Sequence, residues 1–282
     1  MKRFTCLPPE KYLPYYYKYY TGKEYHDEDP REFNEKIQWL KLHYHNPILN
    51  QLIDKYAVRA YVAERIGEEY LNEVIALYKH PNEVDFDALP QSFVLKGTHG
   101  YGYNLIVPDK DNLNQRRAKR LLHKWYKRNP YIRGMQWGYK DIPPRFVVEK
   151  YLSELDKSSI VDYKFNCFGG EPKFLEIHIE RGTKQHKCGY FDLDLRPMPF
   201  RDVPTSELLM EAEKPINFDL MIDLARKLSQ GLPYVRVDFY NIKGRIIFGE
   251  MTFYPAGGTF DYTPDEYNRI IGDLIALPAP IE

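Results

Sequence analysis

The sequence has 282 residues, enough for one large domain or two small ones. Hydrophobic residues make up 43% and charged residues 28%, which fits a chain with a real core and excludes wholesale disorder. Lys plus Arg and Asp plus Glu both number 40, so the formal net charge is zero and the basic excess of a general nucleic-acid binder is missing.

Three cysteines, Cys6, Cys167 and Cys188, form no metal-type spacing, and their odd number suits a reducing compartment. The start "MKRFTCLPPEKYLPYYY" is basic but has no apolar core, so it does not read as a signal peptide. No stretch approaches the ~18 apolar residues of a spanning helix. These features predict a soluble cytoplasmic protein. The stretch "YLPYYYKYY" (12–20) fits either amphipathic packing surface or the wall of a binding groove.

The first third reads as helical. "DPREFNEKIQWLKLHY" offers Asp29 as N-cap and Pro30 as first helical residue, with Phe33, Ile37, Leu40 and Tyr44 on one face. "NPILNQLIDKYAVRAYVAERIG" repeats the pattern, with Gly67 as its stop. From residue 91 the period changes. "SFVLK" and "YNLIV" predict strands around a glycine loop, "DNLNQRRAKRLLHKWYKRN" a helix, and "RFVVEKYL" a strand. "DYKFNCF", Gly169-Gly170 and "PKFLEIHI" predict a hairpin. "NFDLMIDLARKLSQG" predicts a helix capped by Asn217 and stopped at Gly231, followed by strands "YVRVDFY" and "RIIFGEMTFY". The class is α+β. The expected division is a helical region over 1–90, a subdomain with the glycine loop over 91–150, and a second subdomain with an acidic hairpin over 151–282.

The loop in "FVLKGTHGYGYNLIV" fits neither of two familiar phosphate signatures. No Lys-Ser/Thr pair follows its glycines, and Leu105 stands where a dinucleotide fingerprint needs its third glycine. A strand–loop–strand arrangement remains: either a plain turn, or a loop whose N–H groups close over phosphates with Lys96 beside them. The second signal is "YVRVDFYNIKGRIIFGEMTF". A three-residue turn at Ile242, Lys243 and Gly244 pairs Asn241 with Arg245, and sets Arg236 opposite Glu250 and Asp238 opposite Phe248. Alternation then puts Arg236, Asp238, Glu250 and Thr252 on one face, with Val235, Val237, Phe239, Ile247, Met251 and Phe253 on the other. Two carboxylates and a hydroxyl beside an arginine suit Mg²⁺ held against nucleotide phosphates.

The order of these pieces resembles the ATP-grasp fold: Lys then glycine loop, "VVEKYL", "DYKF", and R-x-D followed twelve residues after its Asp by E-x-[NT]. More closely, "FVLKGTHGYGYNLIV", "DYKFNCFGGEPKFL" and "VRVDFYNIKGRIIFGEMTFYPAGG" are similar to the TupA-like ATP-grasp family, from about residue 30 onward. That family is associated with teichuronopeptide and capsular polysaccharide biosynthesis, and its members are often labelled glycosyltransferases. The resemblance implies ATP and Mg²⁺ between two α+β subdomains. It implies Lys96 on the α/β-phosphates, Lys55 as the upstream nucleotide-binding lysine of the fold, and His99, Gly100, Tyr101 and Gly102 over the nucleotide. Glu149 would meet the adenine amino group, the backbone of Lys150, Tyr151 and Leu152 the rest of its edge, and Asp162 the ribose. Lys164 would serve as a further phosphate contact and Arg236 as the neutraliser of the transferred phosphoryl group. Asp238 and Glu250 would hold Mg²⁺, joined by Thr252, which stands where the broad superfamily has Asn.

The implied chemistry is a carboxylate–amine ligation through an acyl phosphate, with a glycan or uronic-acid acceptor, an amino-acid donor and association with polysaccharide assembly machinery. Nucleic acid is not an expected partner. Arg181, in "IERG", is a further candidate for a substrate carboxylate. A nucleotide-sugar glycosyltransferase, a sugar phosphotransferase and a non-catalytic binding module remain as alternatives. The basic helix 111–128 reads as a solvated face or a polyanion contact. His178, His186 and Cys188 lack a fourth ligand at fitting spacing, so no zinc is expected there.

Overall fold

The computed structural model describes residues 7–153, 160–202 and 207–281, which leaves Cys6 outside the described residues. Four helices open the chain: α1 (Pro9–Thr21), α2 (Phe33–His43), α3 (Ile48–Ile53) and α4 (Val58–Arg65). Helix α2 starts later than the Asp29–Pro30 signal suggests. Glu32 is its N-cap, in a reciprocal capping box with Glu35. The pattern over 47–67 is two helices, not one. The Asp54 side chain accepts from the N–H groups of Tyr56 and Ala57 and interrupts the helical ladder there. Arg145 holds the same Asp54 carboxylate at 2.7 Å.

Strand β1 (Val74–Tyr78) departs from the helical reading of the first ninety residues. It joins β2 (Phe93–Gly97), β3 (Asn104–Val107) and β4 (Phe146–Lys150) in an antiparallel sheet of order β1-β4-β2-β3. Alternation sorts this sheet. Phe93, Leu95, Val107, Phe146 and Val148 are buried in a core shared with Ala118, Leu122 and Trp125 of helix α5 (Gln115–Tyr126). Asn114 caps that helix from the Arg117 N–H. The short α6 (Pro130–Gly134) follows.

The second sheet runs β10-β9-β5-β6-β7-β8. Its strands are β5 (Asp162–Phe168), β6 (Glu171–Ile179), β7 (Lys187–Phe191), the short β8 (Glu207–Leu208), β9 (Tyr234–Ile242) and β10 (Arg245–Thr252). All neighbours are antiparallel except β7 and β8. Gly169 and Gly170, both at positive φ, turn β5 into β6 as the sequence predicts. Helix α7 (Phe218–Ser229) covers one face through Phe218, Met221, Leu224 and Leu228, packed with Phe165, Val235, Val237 and Phe239. Helix α8 (Glu266–Gly272) packs on α2.

The β9–β10 register corrects the expected one. Lys243 and Gly244, both at positive φ, make a two-residue turn, so Arg245 pairs with Ile242 and Phe248 with Phe239. A bulge at Gly249 then inserts one extra residue, and Glu250 lands opposite Asp238 and Thr252 opposite Arg236. The bulge restores the polar face that a two-residue turn alone would scramble. Before it, Ile246 and Phe248 join the core; beyond it, Met251 and Phe253 do.

Candidate active site

A cavity of about 1000 Å³ lies between the two sheets, lined by residues of both. Its first wall is the face of the smaller sheet that α5 leaves uncovered: Val94 and Lys96 on β2, Asn104 and Ile106 on β3, Glu149 on β4. Lys96 Nζ lies 2.7 Å from Glu149 Oε2. Asn72, which the sequence did not single out, donates to the Lys150 carbonyl at 2.9 Å and fixes the end of β4. The Lys150 N–H donates to the Glu73 carbonyl, and its ammonium pairs with Glu73 at 3.3 Å. Both polar backbone groups of Lys150 are therefore engaged already, while Tyr151 and Leu152 line the cavity beside it.

The glycine loop is a strand–loop–strand connection, closed by the Gly97 N–H donating to the Tyr103 carbonyl at 2.8 Å. A Cβ on Gly100 would lie 2.3 Å from the Tyr103 ring, which stacks on Trp125. Glycine is thus required at 100 by close approach. Gly102 has φ +68 with open space around it. Tyr101 and Gly102 line the cavity, whereas His99 and Gly100 do not. The His99 side chain is buried, its Nε2 3.0 Å from the Trp125 carbonyl, and burial holds its pKa below the usual imidazole value. It is a core group, so the expectation of His99 over a nucleotide is corrected for its side chain. Gly100 contributes inside the loop: its carbonyl accepts from Lys55 Nζ at 2.9 Å.

The second wall is the face of the large sheet opposite α7. Register places its polar side chains in rungs across the strands. One rung reads Glu176, Lys164, Asp238, Glu250 across β6, β5, β9 and β10. A second joins Asn166, Arg236 and Thr252, and a third Cys188, His178, Asp162 and Tyr240. Arg236 grips both Asp238 oxygens, at 2.8 and 2.9 Å, and reaches Thr252 Oγ1 at 3.3 Å and Glu176 Oε2 at 3.6 Å. Burial works against its charge, but Asp238 and Glu176 hold its pKa well above the ordinary value. Lys164 Nζ lies 3.3 Å from Asp238, under the wall rather than on it. Arg181 pairs with Asp162 at 3.1 Å, and both face the cavity. Glu176 is the functional-type residue that sequence reading missed; its cross-strand position beside Lys164 was the available signal.

Glu250 decides the character of the site. Burial alone would raise its pKa, yet Lys55, Lys164, Arg236 and Lys96 pull it down to about 2. Lys55 Nζ is 3.7 Å away, and it gets there because the Asp54 interruption turns it off the helix. The pocket therefore presents an ionised carboxylate inside a cluster of cations. Hard oxygen donors on Asp238 and Glu250 fit Mg²⁺, and the surrounding cations fit phosphate oxygens, which the metal prefers as co-ligands. A bare divalent ion would meet repulsion here; one arriving with a triphosphate would not.

A family model described as TupA-like ATPgrasp matches residues 35–276. The chain belongs to the TupA-like ATP-grasp family. The fold is accordingly ATP-grasp, an α+β architecture of two sheets facing a common cleft. Among solved structures, the chain is similar to D-alanine–D-alanine ligase from Helicobacter pylori, at 15% identity and TM-score 0.48, covering 88% of this chain and 70% of that one. The ATP-complexed D-alanine–D-alanine ligase from Bacillus anthracis shows 15% identity and TM-score 0.45, over 81% of this chain and 65% of that one. The ATP-grasp ligase PsnB, complexed with a minimal precursor, shows 13% identity and TM-score 0.42, over 74% and 54%. The chain thus spans less than two thirds of the Bacillus ligase and about half of PsnB. No curated protein gives a significant match.

Proposed function

We propose that the protein is an ATP- and Mg²⁺-dependent carboxylate–amine ligase working through an acyl phosphate. The observation that carries the reading is the charged rung on the cavity wall: ionised Glu250 opposite Asp238, with Lys55, Lys164 and Arg236 around them and Lys96 facing from the other sheet. In this reading the triphosphate lies between Lys96, Lys55 and Arg236, under Tyr101 and Gly102. Lys164 acts from beneath by holding Asp238. Asp238, Glu250 and the weaker donor Thr252 would hold Mg²⁺, which when bound neutralises charge on the phosphates. Glu149 and the backbone of Tyr151 and Leu152 face the adenine, and Asp162 the ribose.

An oxygen of the substrate carboxylate attacks the γ-phosphorus; the bond from that phosphorus to the bridging oxygen breaks, and ADP leaves. The amine then attacks the acyl carbon, expels orthophosphate and loses a proton. Arg236, fixed by Asp238 and Glu176, stabilises charge on the transferred group without reorganising. No side-chain nucleophile is needed.

The same cavity is also lined by Tyr16, Tyr20, Arg133, Gln136 and Tyr139. Rings plus one guanidinium suit a cyclic, polar substrate that carries a carboxylate. This supports a sugar acid of a surface polysaccharide or its precursor as acceptor, with an amino acid or peptide as the amine, in the cytoplasm beside the assembly machinery. Arg181 would hold the nucleotide's side of the cleft through Asp162.

The test is a thermal-shift series with ATP, UDP-glucose and UDP-glucuronate, each with and without Mg²⁺, on wild type and Glu250→Ala. A Mg²⁺-dependent rise with ATP alone, abolished in Glu250→Ala, is expected. A response confined to the UDP-sugars would replace the ligase by a glycosyltransferase.

A further inference from the structure

Strands β6 and β7 bring together four metal-type side chains that the nucleotide chemistry leaves unused in part or whole. His178 and Cys188 are direct cross-strand partners. Glu176 stands two residues before His178 on β6, so alternation turns both to the face of Cys188, and His186, just before β7, lies beside them. His178 Nε2 lies 2.8 Å from Glu176 Oε1 and 3.6 Å from Cys188 Sγ, and the three donor atoms fall within 4.8 Å of one another. His178 Nδ1 lies 2.9 Å from His186 Nε2.

We propose that Glu176, His178 and Cys188 form a zinc-class metal site, with His186 orienting His178 as its hydrogen-bond partner. The donors are one carboxylate oxygen, one imidazole nitrogen and one sulfur, the mixed set that Zn²⁺ accepts with tetrahedral geometry. With Zn–N about 2.0 and Zn–S about 2.3 Å, a tetrahedral N···S edge is about 3.5 Å. The His178–Cys188 separation of 3.6 Å already matches it. The matching N···O edge is about 3.3 Å, so Glu176 has to retreat by about half an ångström. With metal on Nε2, the His178 Nδ1–H donates to His186 Nε2, the support a metal-bound histidine ordinarily has.

Glu176, which the sequence reading did not consider, is thus the third protein donor beside His178 and Cys188, leaving one coordination position open, as catalytic-type zinc sites do. Cys188 is a buried free thiol, and metal uptake displaces its proton to solvent. The second Glu176 oxygen lies 3.6 Å from Arg236, so one carboxylate joins this site to the phosphate-binding wall. The proposal does not depend on which nucleotide that wall binds.

The experiment uses the full chain, stripped with chelator and titrated with Zn²⁺ and with Co²⁺. One equivalent is expected to bind per chain, with a sulfur-to-cobalt charge-transfer band. Cys188→Ser should abolish the band, His186→Ala should weaken binding about tenfold or more, and Glu250→Ala should leave both band and stoichiometry intact. If Cys188→Ser fails to fold, alkylation of wild-type Cys188 gives the same answer, since bound Zn²⁺ protects it. Absence of stoichiometric uptake, a band that persists in Cys188→Ser, or a Cys188 alkylated equally fast with and without Zn²⁺ would overturn the site.

Discussion

Individual side chains here depart from their ordinary chemistry for reasons visible in their neighbours. Lys41, on α2, is fully buried, donating to Gln38 Oε1 at 2.8 Å and to the Gly257 carbonyl at 2.6 Å, with Tyr16 stacked 5.0 Å below the ammonium. Neutral oxygens and a ring do not repay the lost hydration, and burial pulls its pKa down to about 7. The unfolded value is about 10.4. Between these two values the unfolded chain binds the extra proton, so the Lys41 contribution makes stability rise with pH, by up to about 1.4 kcal/mol per unit. Tyr16, raised to about 12 chiefly by burial, stays neutral across the same window. Urea unfolding of wild type and Lys41→Met from pH 7 to 10 should show a gap that shrinks as pH rises, with the mutant gaining most at the acid end. A parallel pair of curves would show that Lys41 stays charged throughout. Asp238 and Glu250 were readable as one face of a strand pair, and Lys96 as the residue that leads into a glycine loop. Lys41 was not, because its burial depends on Gly257, far along the chain; Glu176 was within reach through its hairpin partner Lys164.

Elements were legible where periodicity was complete and hidden where one residue broke it. The 47–67 segment carries a continuous helical pattern, yet Asp54 ends the first helix with its own side chain and exposes Lys55 to the cavity. The β9–β10 face was read correctly through a wrong register, because a two-residue turn and a one-residue bulge compensate each other. Strand β7, short and interrupted by Gly189, gave no periodic signal at all. Two predictions follow from these turns. Lys243 adopts φ +51 in the hairpin turn, a conformation Asn tolerates better, so Lys243→Asn should raise stability by a few tenths to about 1 kcal/mol; an unchanged urea midpoint would refute this. In the glycine loop, Gly100→Ala pushes a methyl into the Tyr103 ring, while Gly102→Ala meets only backbone strain of about 1–2 kcal/mol. Gly100→Ala should therefore displace the loop and weaken ATP binding more than Gly102→Ala. The opposite order in isothermal titration would mean that the Gly102 backbone, not the packing of Gly100, sets the loop's closed shape.

The whole molecule holds opposite charges in near balance across one cleft. Lys55, Lys96, Lys164 and Arg236 pair with Glu250, Glu149, Asp238 and Glu176, so these groups satisfy one another before ligand arrives. A divalent cation alone would have to displace ammonium and guanidinium partners from Asp238 and Glu250 and then sit among them, in a partly desolvated cavity where repulsion is poorly screened. A triphosphate alone would gain those cations but push against the same carboxylates. Only the pair would satisfy both, the lysines and arginine taking the phosphates and Asp238 and Glu250 holding the metal. Three titrations in the calorimeter test this. Mg²⁺ alone should give no heat of specific binding, ATP with EDTA should bind weakly and fall off steeply with salt, and MgATP should bind tightest and show the smaller salt dependence. Tight Mg²⁺ binding without nucleotide, lost in Glu250→Ala, would instead make the hairpin a standing cation site, and its lysine neighbours would then need another ligand to explain them.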